Sequence, residues 1–224
     1  MIAIAEVAGE TLELCPERAA YWPRRRMLLV ADPHFGKAAA FRALGVRVPR
    51  GTTDDALARL DALVARLAPA RIEFLGDFLH AREGRNPETF AALGAWRARH
   101  AGIAMRIVRG NHDRRAGDPP AEVGIECVDG PVREGPLALA HHPAPCDGVY
   151  VVAGHVHPCA VLVGPARQRE RLPCFRFGRE VGVLPAFGDF TGCAEVEPTG
   201  DDQLWVVAGD QVLRVGRASA RVPD

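Results

Sequence analysis

The chain is nearly without lysine. Lys37 is the only one, so all other cations among its 28 basic residues are arginines. Against them stand 28 acidic residues, for a formal net charge of zero. Whole-chain charge therefore neither requires nor excludes a polyanionic partner. Arginine suits bidentate contacts to phosphate, but a GC-rich genome produces the same bias and also enriches Ala, Gly and Pro. No Cys-x-x-Cys pair occurs among Cys15, Cys127, Cys146, Cys159, Cys174 and Cys193, which leaves a zinc ribbon or a thioredoxin-like motif without support. Scattered free thiols fit a reducing cytoplasm. The start, Met1-Ile2-Ala3-Ile4-Ala5-Glu6, lacks the basic residues and long apolar stretch of an export signal. No run of about 18 apolar residues exists, so no membrane span is expected. Internal repeats and long heptad segments are also missing.

In bulk the rest is ordinary. Of 224 residues, 48% are hydrophobic and 25% charged, the profile of a globular protein. A chain of this length buries ~70% of the surface it exposes when unfolded and needs no disulfide to fold. One domain over residues 1–224 is expected, with 216–224 as a flexible tail. Residues 2–7 and 11–14 predict a hairpin around Gly9-Glu10. Residues 26–31, 71–76 and 103–109 predict buried strands. Between the first two, Thr52 or Thr53 caps a helix carrying Leu57, Leu60, Leu63, Val64 and Leu67 at helical spacing, and Pro69 stops it. Asn86-Pro87-Glu88 opens a second helix with Phe90, Leu93 and Trp96 on one face. Strand, helix, strand, helix, strand implies parallel strands joined by right-handed crossovers. The second half reads as short strands over 123–128, 137–141, 149–153, 159–163, 172–177, 180–184, 193–197 and 203–215. A mostly parallel half followed by a mostly antiparallel half predicts an α/β fold of two facing sheets with helices outside.

The chemistry lies at the ends of five apolar runs. MLLVA precedes Asp32-Pro33-His34, IEFLG precedes Asp77, and MRIVRG precedes Asn111-His112-Asp113. LALA precedes His141-His142, and VYVVAG precedes His155-Val156-His157. Polar clusters just past strand ends sit at the carboxyl edge of a sheet, where open α/β folds bind ligands. Carboxylate, imidazole and amide together suit a hydrolytic site for two divalent ions, in which a carboxylate between the cations offsets their repulsion.

Asp-x-His, Gly-Asp-x-x-His, Gly-Asn-His-Asp, a strand-terminal His and Gly-His-x-His, in that order, resemble the calcineurin-like metallophosphoesterase superfamily over residues 32 to 157. The resemblance implies a four-layer sandwich, two facing mixed β-sheets flanked by helices, with the dimetal site at the sheet ends. It implies that Asp32, His34, Asp77 and His157 hold one ion and that Asp77, Asn111, His141 and His155 hold the other. His142 competes for the His141 role. His141 is preferred because it stands two residues before a proline, which leaves His142 to face the substrate. The implied reaction is phosphodiester hydrolysis by in-line attack of a hydroxide bridging the metals. His112 would donate a proton to the leaving oxygen, and Asp113 would orient that ring or cap the turn. Manganese is the implied metal, and the same donors admit iron or zinc.

Within the superfamily, Gly76-Asp77-Phe78-Leu79 is followed by His80-Ala81-Arg82 rather than by Asp-Arg-Gly. That departure disfavours the protein serine/threonine phosphatases and resembles the double-strand-break nucleases. His80 is thereby a candidate to contact the scissile or a flanking phosphate; the alternative is a ring bonded to a loop carbonyl. The stretches His34 to Arg42 and Leu184 to Gly192, with Gly76 to Ala81 and His141-His142-Pro143, are similar to the bacterial ligase-associated DNA-damage-response endonucleases. That family implies a manganese-dependent nuclease acting on single-stranded or duplex DNA beside a repair ligase and helicase. Lys37 and Arg42 become candidate substrate contacts. Arg97, Arg99, Arg106, Arg109, Arg114 and Arg115, with Arg167, Arg169, Arg171, Arg176 and Arg179, could track a phosphate backbone or merely solvate the surface. A phosphodiesterase for cyclic nucleotides or other small diesters is the alternative function. An inactive scaffold of the same fold is disfavoured because every expected ligand is present.

Overall fold

The computed structural model describes residues 1–48, 51–164 and 168–216. A hairpin opens it. Strands β1 (Ala3–Val7) and β2 (Glu10–Cys15) pair antiparallel from Ala3 opposite Leu14 to Val7 opposite Glu10. Strands β3 (Ala19–Trp22) and β4 (Met27–Val30) extend the antiparallel set, each buried along its whole length. The direction then changes. Helices α1 (Lys37–Ala43) and α2 (Thr52–Leu67) lead to β5 (Arg71–Phe74), α3 (Pro87–Arg99) leads to β6 (Ala104–Val108), and α4 (Asn111–Ala116) leads to β7 (Glu126–Val128). Strands β4, β5, β6 and β7 are parallel neighbours, so three successive carboxyl ends open on one edge.

The second sheet begins with β8 (Val132–Glu134), β9 (Leu137–Ala140), β10 (Tyr150–Ala153) and β11 (Pro158–Val163). It continues with β12 (Arg169–Phe177), β13 (Val181–Val183), β14 (Ala194–Glu195), β15 (Gln203–Ala208) and β16 (Gln211–Val215). Its order is β14-β11-β12-β13-β10-β9-β8, with β15 against β12 and β16 beyond it. β9, β10 and β13 run parallel, so the second sheet also aligns two carboxyl ends, those of β9 and β10.

Leu12, Leu14, Trp22 and Leu29 of the first sheet meet Leu139, Val152, Phe175 and Phe177 of the second in one buried cluster. On the first sheet's other face, Leu57, Leu60 and Leu63 of α2 and Leu93 and Trp96 of α3 cover Ile72, Phe74 and Ile107. The 3.6-residue spacing read from sequence is what delivers that stripe; each fully buried leucine contributes about 1.5–3 kcal/mol. These are the two facing mixed sheets with flanking helices that the resemblance implied.

Several expectations need correction. The expected hairpin and the parallel set from β4 onward are both present, but β3, which joins them by antiparallel pairing, was not expected. α1 lay in a segment with no clear apolar period. Gly51, not a threonine, precedes α2, and Thr52 is already helical. The span 203–215 is a hairpin, turning at Gly209 with φ +58. The thiols are not all free. Cys159 and Cys193 form a disulfide with Cα atoms 5.7 Å apart, because β14 pairs with β11 in a register that sets Glu195 beside Cys159. The expected tail, from 217 on, and Arg167 lie outside the described residues. No helix among the described residues is long and apolar enough to cross a membrane.

Candidate metal centre

Seven of the eight histidines in the sequence converge at the edge where the two sheets open; only His100 lies elsewhere. Asp32 and His34 follow β4, Asp77 follows β5, and Asn111 and His112 begin α4 after β6. His141 and His142 follow β9, and His155 and His157 follow β10. The donors are thus divided between the two sheets.

Backbone geometry marks these residues as specially held. Asp32, His34, Asp77, His155 and His157 have φ of +50°, +48°, +48°, +72° and +52°, a region L-residues avoid at a cost of order 1–3 kcal/mol each. Two glycines make room for them. A Cβ on Gly76 would lie 2.3 Å from His141 Nδ1, and one on Gly110 would lie 2.2 Å from Asp77 Oδ1.

The hydrogen bonds fix which ring nitrogens face inward. His141 donates from Nδ1 to the carbonyl of Leu75 at 3.0 Å, and His157 donates from Nδ1 to that of Gly192 at 3.1 Å. His112 donates from Nδ1 to the carbonyl of His80 at 2.6 Å. In each neutral ring Nε2 is then a bare lone pair. Those lone pairs crowd against oxygens and other ring nitrogens. His141 Nε2 lies 2.9 Å from Asn111 Oδ1, 3.1 Å from His155 Nδ1 and 3.4 Å from Asp77 Oδ1. His34 Nε2 lies 3.3 Å from His157 Nε2, which is 3.7 Å from Asp32 Oδ2. Asp32 Oδ2 accepts from the His155 backbone amide at 2.8 Å, whereas Asp32 Oδ1 is buried with no hydrogen-bond partner.

Burial pushes the imidazoles of His34, His141 and His155 below the ordinary histidine range. Burial also lifts the Asp77 carboxyl above the usual carboxylate range. Converging lone pairs, an orphaned carboxylate oxygen and a desolvated acid are what a cation would satisfy. The donors form overlapping groups: Asp32, His34 and His157; Asp32, Asp77 and His141; His141, His142 and His155; His34, His80 and His112. Hard carboxylate and amide oxygens mixed with imidazole fit a divalent transition metal.

All seven expected ligands meet here. His141 is buried against Asn111 and Asp77, while His142 is exposed, its ring 4.3 Å from that of His155. His80 stacks on His112 with centroids 5.0 Å apart, and burial, reinforced by Lys37 and His112, lowers its pKa to about 4. Of the two readings of Asp113, its contacts match the capping of the turn rather than the orienting of the ring. Its two oxygens accept from the amides of Leu79 at 3.0 Å and Gly110 at 2.9 Å, so it ties two loops together while the His80 carbonyl orients His112. Lys37 lines a cleft with His34, but Arg42 lies in a neighbouring hollow with Thr53, Asp54 and Asn86. The arginine cluster is largely engaged elsewhere. Arg106 pairs with Glu73 and Glu134, Arg109 with Asp118, Arg114 with Asp129, and Arg176 with Asp202.

Sequence reasoning gave no role to Gly192, whose carbonyl fixes His157, or to Arg18 and Arg59, which pair with Asp189 of the same loop. Glycine directly before Asp77, Asn111 and His155 was the available signal for close packing.

A scan against protein-family models finds no match, and a search of curated proteins finds none either. Among solved structures, the Pseudomonas putida nuclease MPE matches with a TM-score of 0.86 and 45% identity, over 96% of this chain and 100% of that one. An Aquifex aeolicus protein of unknown function, AQ665, follows at TM-score 0.40 and 17% identity, over 58% and 78% of the two chains. YfcE, a phosphoesterase from E. coli, follows at TM-score 0.38 and 14% identity, over 87% and 94%.

Proposed function

Because the chain belongs to the calcineurin-like metallophosphoesterase family that includes nuclease MPE, hydrolases acting on ester bonds, we propose that it is a dimetal phosphodiesterase that cuts DNA. The observation that carries the reading is the meeting of His141 Nε2, Asn111 Oδ1 and Asp77 Oδ1 beside a buried Asp32 Oδ1 that has no hydrogen-bond partner. Asp32, His34, Asp77 and His157 would hold one cation, and Asp77, Asn111, His141 and His155 the other, with manganese the first candidate. When bound, the pair lowers the pKa of coordinated water and offsets charge developing on the phosphoryl oxygens.

The remaining residues position and protonate. The Leu75 and Gly192 carbonyls, accepting from His141 and His157, and the His155 amide, donating to Asp32, hold these groups in place before substrate arrives, so little reorganisation is left for the reaction. His112 presents Nε2 to the cleft with its side chain 31% exposed, and in its protonated form it gives a proton to the departing oxygen. Its ring cannot turn away without losing the bond to the His80 carbonyl. His80, held neutral, offers a hydrogen bond to a phosphate oxygen, and Lys37 supplies a positive charge beside it. Asp113 acts as a positioning residue through Gly110 and Leu79. His142 stands at the exposed rim, where a substrate strand would pass.

We assign the activity to DNA repair, alongside a ligase and a helicase. The decisive experiment is cutting of single-stranded and duplex DNA circles with manganese, set against Asp77→Ala. Wild-type nicking that vanishes in the variant supports the reading. Hydrolysis of small diesters without DNA cutting would move the function to cyclic nucleotides or related diesters.

A further inference from the structure

Phe190 is left largely in the open by the fold. Its side chain is 55% exposed, the only aromatic among the exposed large apolar side chains of the described residues. It belongs to none of the apolar clusters. Its backbone is left-handed, with φ +57°, a conformation that bulky residues avoid and that persists only when the surroundings enforce it.

The surroundings do enforce it. The Phe187 amide donates to the Ala31 carbonyl at 2.8 Å, and the Gly188 amide donates to the Asp32 carbonyl at 3.1 Å. Asp189 is gripped by Arg18 and Arg59. Beyond Phe190, the Gly192 carbonyl accepts from His157, and Cys193 is bonded to Cys159. Both shoulders of the loop are thus fastened to, or beside, the donors of the metal centre, and Phe190 stands at the crest. The cleft below it is lined by His34, Lys37 and Phe41. An exposed ring, a cation and a second ring beside a phosphate-cleaving centre are the chemistry that holds an unpaired strand, since every base offers a π-face.

We propose that Phe190 is a stacking platform for the unpaired nucleobase next to the scissile phosphate, with Lys37 holding the phosphate of the same strand. This rests on the DNA reading above. The ring positions the strand and fixes which bond reaches the metals, without taking part in bond breaking. With the residues on both sides of it fastened, the loop needs little ordering when the base arrives.

The test compares a single-stranded oligonucleotide with a strand of the same backbone built from abasic residues. kcat/KM is measured with manganese, and binding by fluorescence anisotropy with calcium in its place. Wild-type protein is expected to favour the base-bearing strand roughly 5- to 150-fold, the range of one base–aromatic stack. Phe190→Ala and Phe190→Gly are expected to erase most of that preference in both readouts, and Phe190→Trp to restore it. Phe190→Gly accepts the left-handed backbone and is expected to keep the wild-type melting temperature, so its loss of preference is not unfolding. A Phe190→Ala protein with the wild-type preference overturns the stacking role and leaves the nuclease standing. A wild-type protein that hydrolyses small diesters but cuts neither strand overturns the DNA reading, and this role with it.

Discussion

Gly110→Ala separates metal-site geometry from metal-site chemistry, because it removes no ligand. Gly110 has φ −91° and ψ −178°, which alanine adopts freely. The penalty is therefore purely one of space. The new Cβ would stand 2.2 Å from Asp77 Oδ1, 2.5 Å from the Asp77 amide nitrogen and 2.9 Å from His141 Cε1, where ordinary contact begins at 3.4 Å. Relief needs a displacement of about 1.2 Å, the difference between 3.4 and 2.2 Å. The second contact is backbone, so a side-chain rotation does not suffice. Overpacking of this kind costs about 1–3 kcal/mol, a fall of roughly 2–12 °C in Tm for a chain of this size. A misplacement of about 1 Å at a reacting centre costs on the order of 100-fold in rate. The assay is metal content by elemental analysis together with hydrolysis of a small phosphodiester. Gly94→Ala is the control: nothing lies within 4 Å of its Cβ, and replacing a helical glycine stabilises by about 0.5–1 kcal/mol. A Gly110→Ala protein with wild-type metal content and rate would refute the crowded geometry.

His141→Ala is expected to lose bound metal and at least about 100-fold in rate, while His142→Ala keeps its metal, because only His141 is buried against Asn111 and Asp77; equal metal loss in the two variants would reverse the assignment. Metal-free protein is expected to lose stability on acidification. Burial depresses the imidazoles of His34, His80, His141 and His155, that of His80 to about 4. Below the ordinary histidine pKa of about 6.5 the unfolded chain binds more protons than the folded one, so their contribution is complete above that pH and declines as pH falls towards the depressed values. His157 opposes the trend: despite burial, Asp32 raises its pKa. A urea midpoint unchanged between about pH 7 and pH 5 after chelation would count against the buried neutral rings.

Much of this was legible because it depends on short-range pattern. Apolar runs closed by polar residues located the ends of β4, β5, β6, β9 and β10, and therefore seven donors. Leucine spacing located α2, and Asn86 does cap α3, accepting from the Thr89 amide at 2.8 Å. What escaped is set by packing at long range. Cys159 and Cys193 meet only because β14 docks on β11. Asp113 caps its turn, one of the two readings of it, but its second bond, to the Leu79 amide 34 residues earlier, could not be read from sequence. The exposed crest at Phe190 is not visible in the stretch Leu184 to Gly192, which stood out only by its resemblance. Arginines that looked free along the sequence are occupied by carboxylates from other segments, as Arg106 is by Glu73 and Glu134.

If the site fills as proposed, the division of donors between the sheets would tie the supply of trace metal to the stability of this protein. Cations seated there would join residue 32 to residue 157 as a removable rivet, absent from the unfolded polymer. A ligand that binds only the folded state adds ~2.7 kcal/mol when its free concentration is 100 times its dissociation constant. Starved of its ion, the molecule would lose that margin. Scarcity would then lower not just turnover per copy but the number of copies that persist.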